Sequence, residues 1–211
     1  MHPYATDSNE RKTIPFVLAG LALAAAWGLS WLLRALNITI PWWLDAPSAF
    51  AFYVFLYGLF ERKLWRLPIL RKLGVIQVPL LEGRWEGHIT TSFDEHATRH
   101  NVEVQIDQSW AELMVRLNGK DSKSHSLTAS LSTVGPEGPI LSYQYRNEPL
   151  PSAKETMQIH YGTARLTLSD QGTLRGEYYS GRARENHGSI YLTRPAKNSM
   201  PLCLKTQIES E

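Results

Sequence analysis

Two arginines separated by a single residue, Arg182 and Arg184, form a pattern that is typical of anion binding. They end the segment TLRGEYYSGRAR, residues 173–184, whose composition predicts a β-strand. Side chains alternate between the two faces of a strand, so Tyr178, Arg182 and Arg184 share one face while Arg175 lies on the other. Guanidinium groups bind phosphate through paired hydrogen bonds. The end of this segment is therefore a candidate phosphate site.

Two further segments supply polar residues that suit a nucleotide. In ILSYQYRNEP, Tyr143, Tyr145 and Asn147 share one strand face, and in SKSHSLTAS the same holds for Ser124 and Ser126. Tyrosine rings stack on bases, and hydroxyl or amide groups hydrogen-bond to base edges. With the arginines, these residues predict a pocket for a small nucleotide-like anion. The ordinary alternative is that the tyrosines only fill a core and the serines face solvent, as polar strand faces commonly do.

The histidines raise the question of metal binding or catalysis. His96 and His100 in HATRH have a spacing that binds zinc on a helix, but the stretch has the composition of a loop and no third ligand is evident. His160 lies in IHYGTARL, where a hydrogen bond inside a barrel or at its rim is the ordinary interpretation. The chain shows no P-loop, GxGxxG motif or nucleophile elbow. We expect a binding protein without metal or cofactor, and an enzyme that uses His160 is the alternative.

The elements that would position these residues begin at residue 83, where short alternating segments replace long apolar ones. Turn sequences such as NGKD, GPEGP, SDQG and ENHG separate eight strand segments. Antiparallel strands of this number and length most simply close into a small up-and-down barrel with room for one small ligand. The predicted strands are 84–93, 101–108, 112–117, 123–134, 140–147, 156–168, 173–184 and 189–194.

Charge and alternation restrict what this barrel can contact. Residues 83–194 contain 12 lysines and arginines against 13 aspartates and glutamates, so the segment is nearly neutral. Proteins that bind long nucleic acids present a broad basic surface instead. Residues 101–107 alternate Val102, Val104 and Ile106 with polar residues, which gives one apolar face and one face that suits water. The barrel is therefore expected to be soluble, and its anionic ligand to be small.

Two long apolar segments precede the barrel. Residues 14–33 carry no charge over twenty positions, the length that a helix needs to cross a bilayer, and residues 42–60 form a shorter candidate with tryptophans suited to the interface. Basic residues precede the first segment and follow the second, so both termini are expected in the cytoplasm. The prediction is a membrane-anchored all-β protein: N-terminal segment 1–13, two transmembrane helices within 14–60, basic amphipathic linker 61–82, soluble eight-stranded antiparallel barrel 83–195 and flexible tail 196–211.

Several motifs in a fixed order resemble one bacterial family. They are LEGRWEGHI at 81–89, DSKSHSLTAS at 121–130, YQYRNEP at 143–149, IHYGTARL at 159–166 and GEYYSGRARENHGSIYL at 176–192, after the two apolar segments. Together they are similar to the two-transmembrane, β-strand-rich effectors of CBASS antiphage defence, which are associated with cGAS-like nucleotidyltransferases. The resemblance covers residues 14–194, most of the chain.

The resemblance implies a function and its partners. The barrel would sense a cyclic dinucleotide, the activating ligand, made by the nucleotidyltransferase after phage infection. Ligand binding would make the transmembrane segments self-associate and disrupt the inner membrane, which stops growth. The sensor pocket would contain Ser124, Ser126, Tyr143, Tyr145, Asn147, Tyr178, Arg182 and Arg184. The alternative is a membrane-tethered, lipocalin-like barrel that starts at Gly83-x-Trp85 and binds an apolar ligand against Val102, Val104 and Ile106.

Overall fold

The chain divides into a helical unit and a β unit. A computed structural model describes residues 1–38, 42–153, 158–181 and 185–195. The helical unit is Ser8–Gln77, and the β unit combines Met1–Asp7 with the chain from Val78 onward. The predicted N-terminal segment, 1–13, is thus split between the two units. The predicted tail, 196–211, lies outside the described residues.

The helical unit contains the predicted membrane segments. Its elements are α1 (Glu10–Ala35), α2 (Trp42–Arg62), a 3-10 turn (Leu64–Arg66) and α3 (Pro68–Lys72). Among the described helices, α1 is long and apolar enough to cross a membrane by length and composition. The second predicted span falls on α2. Proline opens α3, where its fixed φ suits the first helical position and its missing N–H costs nothing.

The two faces of α1 differ in what they contact. Its buried apolar residues, Ile14, Leu18, Ala22 and Ala26, recur every four positions and form the side that packs against α2. Large apolar side chains cover the rest of the helix and are exposed, among them Phe16, Leu21, Leu23, Trp27 and Trp31. Exposure of so much apolar surface along one helix is the pattern of a helix that faces lipid.

The β unit is a closed barrel with nine strands in its described residues, one more than predicted. The strands are β1 (His2–Thr6), β2 (Gly83–Ile89), β3 (His100–Gln108), β4 (Glu112–Asn118), β5 (Ser122–Ser132), β6 (Ile140–Pro149), β7 (His160–Leu168), β8 (Thr173–Ser180) and β9 (His187–Thr193). All eight predicted segments contain a strand. The additional strand, β1, comes from HPYAT, which is too short and too proline-interrupted to show an alternating pattern.

Strand β1 fills a gap in an otherwise sequential barrel. Strands β2 to β9 pair antiparallel with their neighbours in the chain, and β2 pairs with β9. Strands β4 and β5 pair only across Arg116–Asn118 and Lys123–His125. Beyond that point β1 lies between them, antiparallel to β4 and parallel to β5. Closure therefore depends on a strand from the far end of the chain.

Several predicted strand limits differ from the observed ones, and turn chemistry explains the clearest case. The segment predicted as 84–93 ends at Ile89, since the side chain of Thr91 accepts a hydrogen bond from the Phe93 amide and opens a 3-10 turn. Positive φ angles at Glu95 and His96 then complete the turn. The segment predicted as 156–168 begins at His160, and the segment predicted as 173–184 ends at Ser180.

The closed end of the barrel is filled by large apolar side chains. Trp85, Ile106, Leu113, Leu131, Leu166, Leu174 and Leu192 are fully buried there. The indole of Trp85 donates to the carbonyl of Leu81, and the guanidinium of Arg194 lies over its ring at 4.5 Å from the centroid. This end is a packed core, so space for a ligand lies at the opposite end.

Candidate ligand-binding cavity

A cavity of about 380 Å³ opens at the end of the barrel opposite Trp85. Strand alternation explains its lining, because inward positions continue from the apolar core towards this end. Its apolar wall includes Ile89, Val102, Leu117 and Ile190. Its polar and aromatic residues include five that the sequence predicted: Ser124, Tyr143, Tyr145, Asn147 and Tyr178. A mixed apolar and polar lining of this size suits a small organic ligand.

Strand β8 places one of its two adjacent tyrosines in the cavity. Leu174 and Tyr178 face inward, while Arg175 and Tyr179 are exposed, as alternation predicted. The hydroxyl of Tyr179 donates to a carboxylate oxygen of Glu177 at 2.5 Å on the outer surface. This hydrogen bond raises the pKa of Tyr179 above its usual value. Tyr178 thus lines the cavity, and Tyr179 belongs to the outside of the barrel.

Tyr143 and Tyr145 form an aromatic wall on β6. Both side chains are buried, and their ring centroids are 6.2 Å apart with an angle of 55° between the ring planes. Burial raises the pKa of Tyr143 well above its usual value, so this phenol stays neutral and keeps its proton for donation. Neutral rings in an apolar wall can pack against the face of a base without the cost of burying a charge.

Asn147 and His160 add hydrogen-bonding groups next to this wall. The two residues are cross-strand partners on β6 and β7, and both are buried. Nδ1 of His160 lies 3.0 Å from the carbonyl oxygen of Gln158. A carbonyl only accepts, so Nδ1 carries the proton in this contact. This pair can therefore distinguish ligand groups by their donors and acceptors.

Ser124 and Ser126 have different surroundings although they lie on the same strand. Ser124 lines the cavity. Ser126 is 2% exposed, accepts a hydrogen bond from the amide of Val115 at 2.9 Å, and contacts Nε2 of His2 at 2.7 Å. Its hydroxyl bridges β1, β4 and β5, and Ser126 is not among the described residues that line the cavity. A bulge follows between Ser126 and Thr128, which leaves Thr128 exposed.

The predicted phosphate-binding arginines, Arg182 and Arg184, lie outside the described residues. Their described neighbours along the chain are informative, because Ser180 at the end of β8 and Asn186 before β9 both line the cavity. The described residues on either side of the arginines therefore lie at the cavity wall. Their role as phosphate ligands stays a prediction.

Several cavity residues were missed because they lie in loops. Thr91 and Phe93 come from the connection between β2 and β3, and Lys120 and Asp121 come from the turn between β4 and β5. Loop residues follow no alternating pattern, so the sequence of these segments does not identify them as cavity residues. In an up-and-down barrel, however, alternate connections lie at the same end, and the connections after β2, β4, β6 and β8 are the ones at the cavity. That rule would have selected both loops.

The histidines serve other roles where they are described. His100 pairs with Asp94 at 3.1 Å, and the rings of His96 and His187 lie 5.6 Å apart. Among the described residues, no three His, Cys, Asp or Glu side chains are grouped so that they could hold a metal ion.

A closed barrel with a mixed polar cavity at one end, connected to a unit with a membrane-length apolar helix, defines a membrane-associated receptor for a small ligand. Comparison with known proteins identifies the ligand class. Residues 76–194 match the family model described as the Cap15 cyclic dinucleotide receptor domain, and residues 12–66 match the model described as the Cap15 TM helices. A relative from Yersinia aleksiciae, CD-NTase-associated protein 15, is 33% identical over 186 residues, which cover 86% of this chain and 85% of the relative.

The chain belongs to the Cap15 family. The resemblance to CBASS effectors is confirmed, and the protein is a CBASS effector whose barrel is a cyclic dinucleotide receptor domain. This assignment decides against the lipocalin-like alternative. Val104 and Ile106 lie in the packed core, and only Val102 of the predicted apolar trio lines the cavity.

Proposed function

We propose that the cyclic dinucleotide binds in the barrel cavity with its bases against Tyr145 and Tyr178 and its phosphates near Arg182 and Arg184. The observation that carries this proposal is the meeting of Ser124, Tyr143, Tyr145, Asn147 and Tyr178 at one cavity, on three different strands. Each was selected from sequence by the face it would occupy. Asn147 and His160 supply hydrogen-bonding groups for a base edge.

The phosphate part of the proposal follows from charge. A cyclic dinucleotide carries two negative phosphates, and an anion enters a partly apolar cavity only where cations or oriented donors compensate for lost hydration. Lys120 lines the described part of the cavity, and the arginine segment begins after Ser180 on its wall. One lysine compensates one phosphate, so the arginine pair is the natural partner of the other.

The test compares adjacent residues on opposite strand faces. The full chain in lipid nanodiscs is titrated with cyclic di-AMP, cyclic di-GMP, cyclic GMP–AMP and cyclic di-UMP. For whichever of these binds the parent protein, Tyr178→Ala should weaken affinity by roughly fivefold to more than a hundredfold, the range for removal of one stacking ring. Tyr179→Ala is the matched control and should leave affinity unchanged.

A second matched pair tests the arginines. Arg182→Ala removes a charge-assisted phosphate contact and should cost roughly tenfold to more than a hundredfold in affinity. Arg175→Ala removes an exposed arginine from the outer face of β8 and should have little effect. Equal affinities for Tyr178→Ala and Tyr179→Ala would place the ligand outside this cavity.

We propose further that both α1 and α2 cross the inner membrane, with the termini in the cytoplasm, and that ligand binding drives self-association of these helices. The length of α2, 21 residues, is sufficient for one crossing. On α1, Gly20 and Ala24 are exposed four positions apart, and Gly28 continues the row with no atom within 4 Å of its missing side chain. Small residues in such a row allow close contact between helices of different copies.

The segment after α2 supports contact with the lipid surface. Leu67, Ile69 and Leu73 are exposed there, among basic residues that include Lys63 and Lys72. Exposed apolar side chains beside lysines and arginines suit the anionic cytoplasmic leaflet. We infer that α3 lies at this surface.

The membrane part is tested in cells. Reporters that are active only outside the cytoplasm should be silent when fused at either terminus and active when inserted near Thr39. Co-expression with the cognate nucleotidyltransferase should depolarise the inner membrane, measured with a potential-sensitive dye, and should increase crosslinking through a cysteine placed in α1. Ligand-bound protein that remains uncrosslinked in a polarised membrane would contradict activation by self-association.

A further inference from the structure

Two tyrosines of the cavity each lie against a glycine on the neighbouring strand. Tyr145 on β6 pairs with Gly162 on β7, and Tyr178 on β8 pairs with Gly188 on β9. Cross-strand partners share a face of the sheet, so both glycines belong to the same inner wall as the rings. An aromatic ring that leans over a glycine on the next strand covers the bare backbone and fixes the direction of the ring.

Neither glycine is required by a positive φ angle, because the glycines with positive φ in the described chain lie elsewhere. Space explains the missing side chains instead. A Cβ atom at 162 would overlap the hydroxyl oxygen and Cζ of Tyr145, and a Cβ atom at 188 would lie 2.8 Å from Cε1 of Tyr178. At 162 the nearest atom to such a Cβ is the hydroxyl oxygen of Tyr145; at 188 it is the backbone carbonyl oxygen of Thr90, and the ring of Tyr178 fills the adjoining volume.

Two other strand glycines provide a comparison. A Cβ atom at Gly87 would overlap the backbone carbonyl oxygen of Tyr191, and one at Gly176 would overlap that of Arg165. In both cases the three nearest atoms belong to the backbone. A Cβ atom at Gly162 or Gly188 would also overlap a backbone carbonyl oxygen, that of Tyr179 or Thr90 respectively. Among these four glycines, only these two have the ring of a cavity tyrosine among the atoms nearest to such a Cβ. Crowding by backbone is common to these strands, and contact with a ring is confined to the cavity.

We propose that Gly162 and Gly188 are positioning residues for ligand recognition: by leaving space for the rings of Tyr145 and Tyr178, they hold both rings along the barrel wall with their faces available to the bases. This inference rests on the proposed stacking mode. Without the glycines, each ring turns away from the wall and enters the volume that a base would occupy. The glycines thus determine how large a base the cavity accepts, although neither carries a group that binds one.

Selectivity among ligands follows from this arrangement. A methyl group at 162 pushes the ring of Tyr145 towards the cavity centre and shortens the space in front of it. Purines need more of that space than pyrimidines. Gly162→Ala should therefore lower the affinity for cyclic di-AMP or cyclic di-GMP more than the affinity for cyclic di-UMP, and a general loss of stability would not change this ranking.

The decisive experiment is a double-mutant cycle in the full chain in nanodiscs. Gly162→Ala should reduce affinity for the best-binding member of the panel by tenfold or more, while in a Tyr145→Ala background only the contact with the backbone carbonyl of Tyr179 remains and the loss should be at least about threefold smaller. Gly176→Ala is the control for backbone crowding and should change affinity equally in both backgrounds. The cycle of Gly188→Ala with Tyr178→Ala should repeat the result. Equal losses in both backgrounds, or losses matched by Gly176→Ala, would overturn the proposal.

A readout without ligand separates this inference from the receptor function itself. In protein labelled with 3-fluorotyrosine, the 19F resonance of Tyr145, assigned by its loss in Tyr145→Phe, should shift in Gly162→Ala and stay in place in Gly176→Ala. A parent protein that binds no cyclic dinucleotide would contradict the proposed binding mode. The 19F shift would still show whether Gly162 determines the position of the Tyr145 ring. If Gly162→Ala is unstable, the double variant with Tyr145→Ala should be more stable than the single variant; a double variant that is no more stable would overturn the proposal, because the backbone carbonyl of Tyr179 would then account for the glycine.

Discussion

Arg194 stabilises the closed end of the barrel through hydrogen bonds and a contact with an aromatic ring, and its removal should measurably destabilise the β unit. Its Nη1 donates to the carbonyl of Glu82 and its Nη2 to the carbonyl of Leu80, both at 2.9 Å. The same guanidinium lies 4.5 Å from the ring centroid of Trp85. Trp85 is fully buried and donates to the carbonyl between those two, on Leu81. Three consecutive carbonyls before β2 are thus held by two side chains.

The cost of Arg194→Ala can be worked from these contacts. Arg194 is partly exposed, so its two hydrogen bonds are taken at the low end, about 0.5–1 kcal/mol each. The cation–π contact adds about 0.5–1 kcal/mol. The expected loss is about 2 kcal/mol, which lowers the midpoint of thermal unfolding by roughly 6–10 °C for a domain of this size. Arg194→Lys keeps a cation over the Trp85 ring but lacks the planar guanidinium that makes both hydrogen bonds. It should therefore recover less than half of the stability lost in Arg194→Ala.

The assay is thermal unfolding of the full chain in nanodiscs, followed by circular dichroism in the β region. Arg175→Ala is the control, since Arg175 is exposed on the outer face of β8 and its loss should change stability by less than about 0.5 kcal/mol. Hydrogen exchange at the amide of Leu81 should rise in Arg194→Ala only. If Arg194→Ala unfolds at the same temperature as the control, or if Arg194→Lys unfolds at the same temperature as the parent protein, the two guanidinium hydrogen bonds do not stabilise this end of the barrel.

Three further substitutions test the remaining structure. Hydrogen bonds from Ser132 and Thr133 hold the pKa of Asp7 well below its usual range. The contribution of Asp7 to stability is therefore complete above the unfolded-state pKa of about 4 and declines as the pH falls through the folded-state pKa. Asp7→Asn should have a lower melting temperature than the parent protein at pH 7, and the difference should disappear on acidification; a difference that does not change with pH would contradict the assignment. Ser126→Ala leaves the Val115 amide without its acceptor and should cost about 1–3 kcal/mol in unfolding free energy while ligand affinity, measured by titration, stays unchanged. Gly20→Leu should abolish ligand-dependent crosslinking in α1, and unchanged crosslinking would show that helices do not associate through this row.

The inner faces of the barrel were predictable because alternation is a local property. The inward direction of Tyr143, Tyr145 and Asn147 followed from one strand that keeps strict alternation over its length. The bulge after Ser126 could not be seen in the same way, since it inserts one residue without a distinctive composition and reverses which positions face inward beyond it. Local pattern therefore fails where the pairing register changes.

Elements that depend on distant partners were beyond local pattern. HPYAT becomes a strand only because β4 and β5 diverge and leave backbone groups for it to pair with. Phe93 and Lys120 reach the cavity because barrel topology brings their loops to the same end. In both cases the information lies in the pairing of strands, which the composition of either segment alone does not contain.

The insertion of β1 into the barrel also determines the order in which the protein can assemble. His2 contacts a residue 124 positions further along the chain, and every residue of the helical unit lies between β1 and β2. During synthesis β1 emerges first, yet the strands that it pairs with, β4 and β5, are made after the helical unit, so the whole helical unit is synthesised while the barrel is still open. The membrane part is topologically a long loop of the sensor, anchored at both ends. Deleting it from the N-terminus would also remove a strand, so a water-soluble version of the sensor requires a short linker from Asp7 to Val78 rather than a truncation.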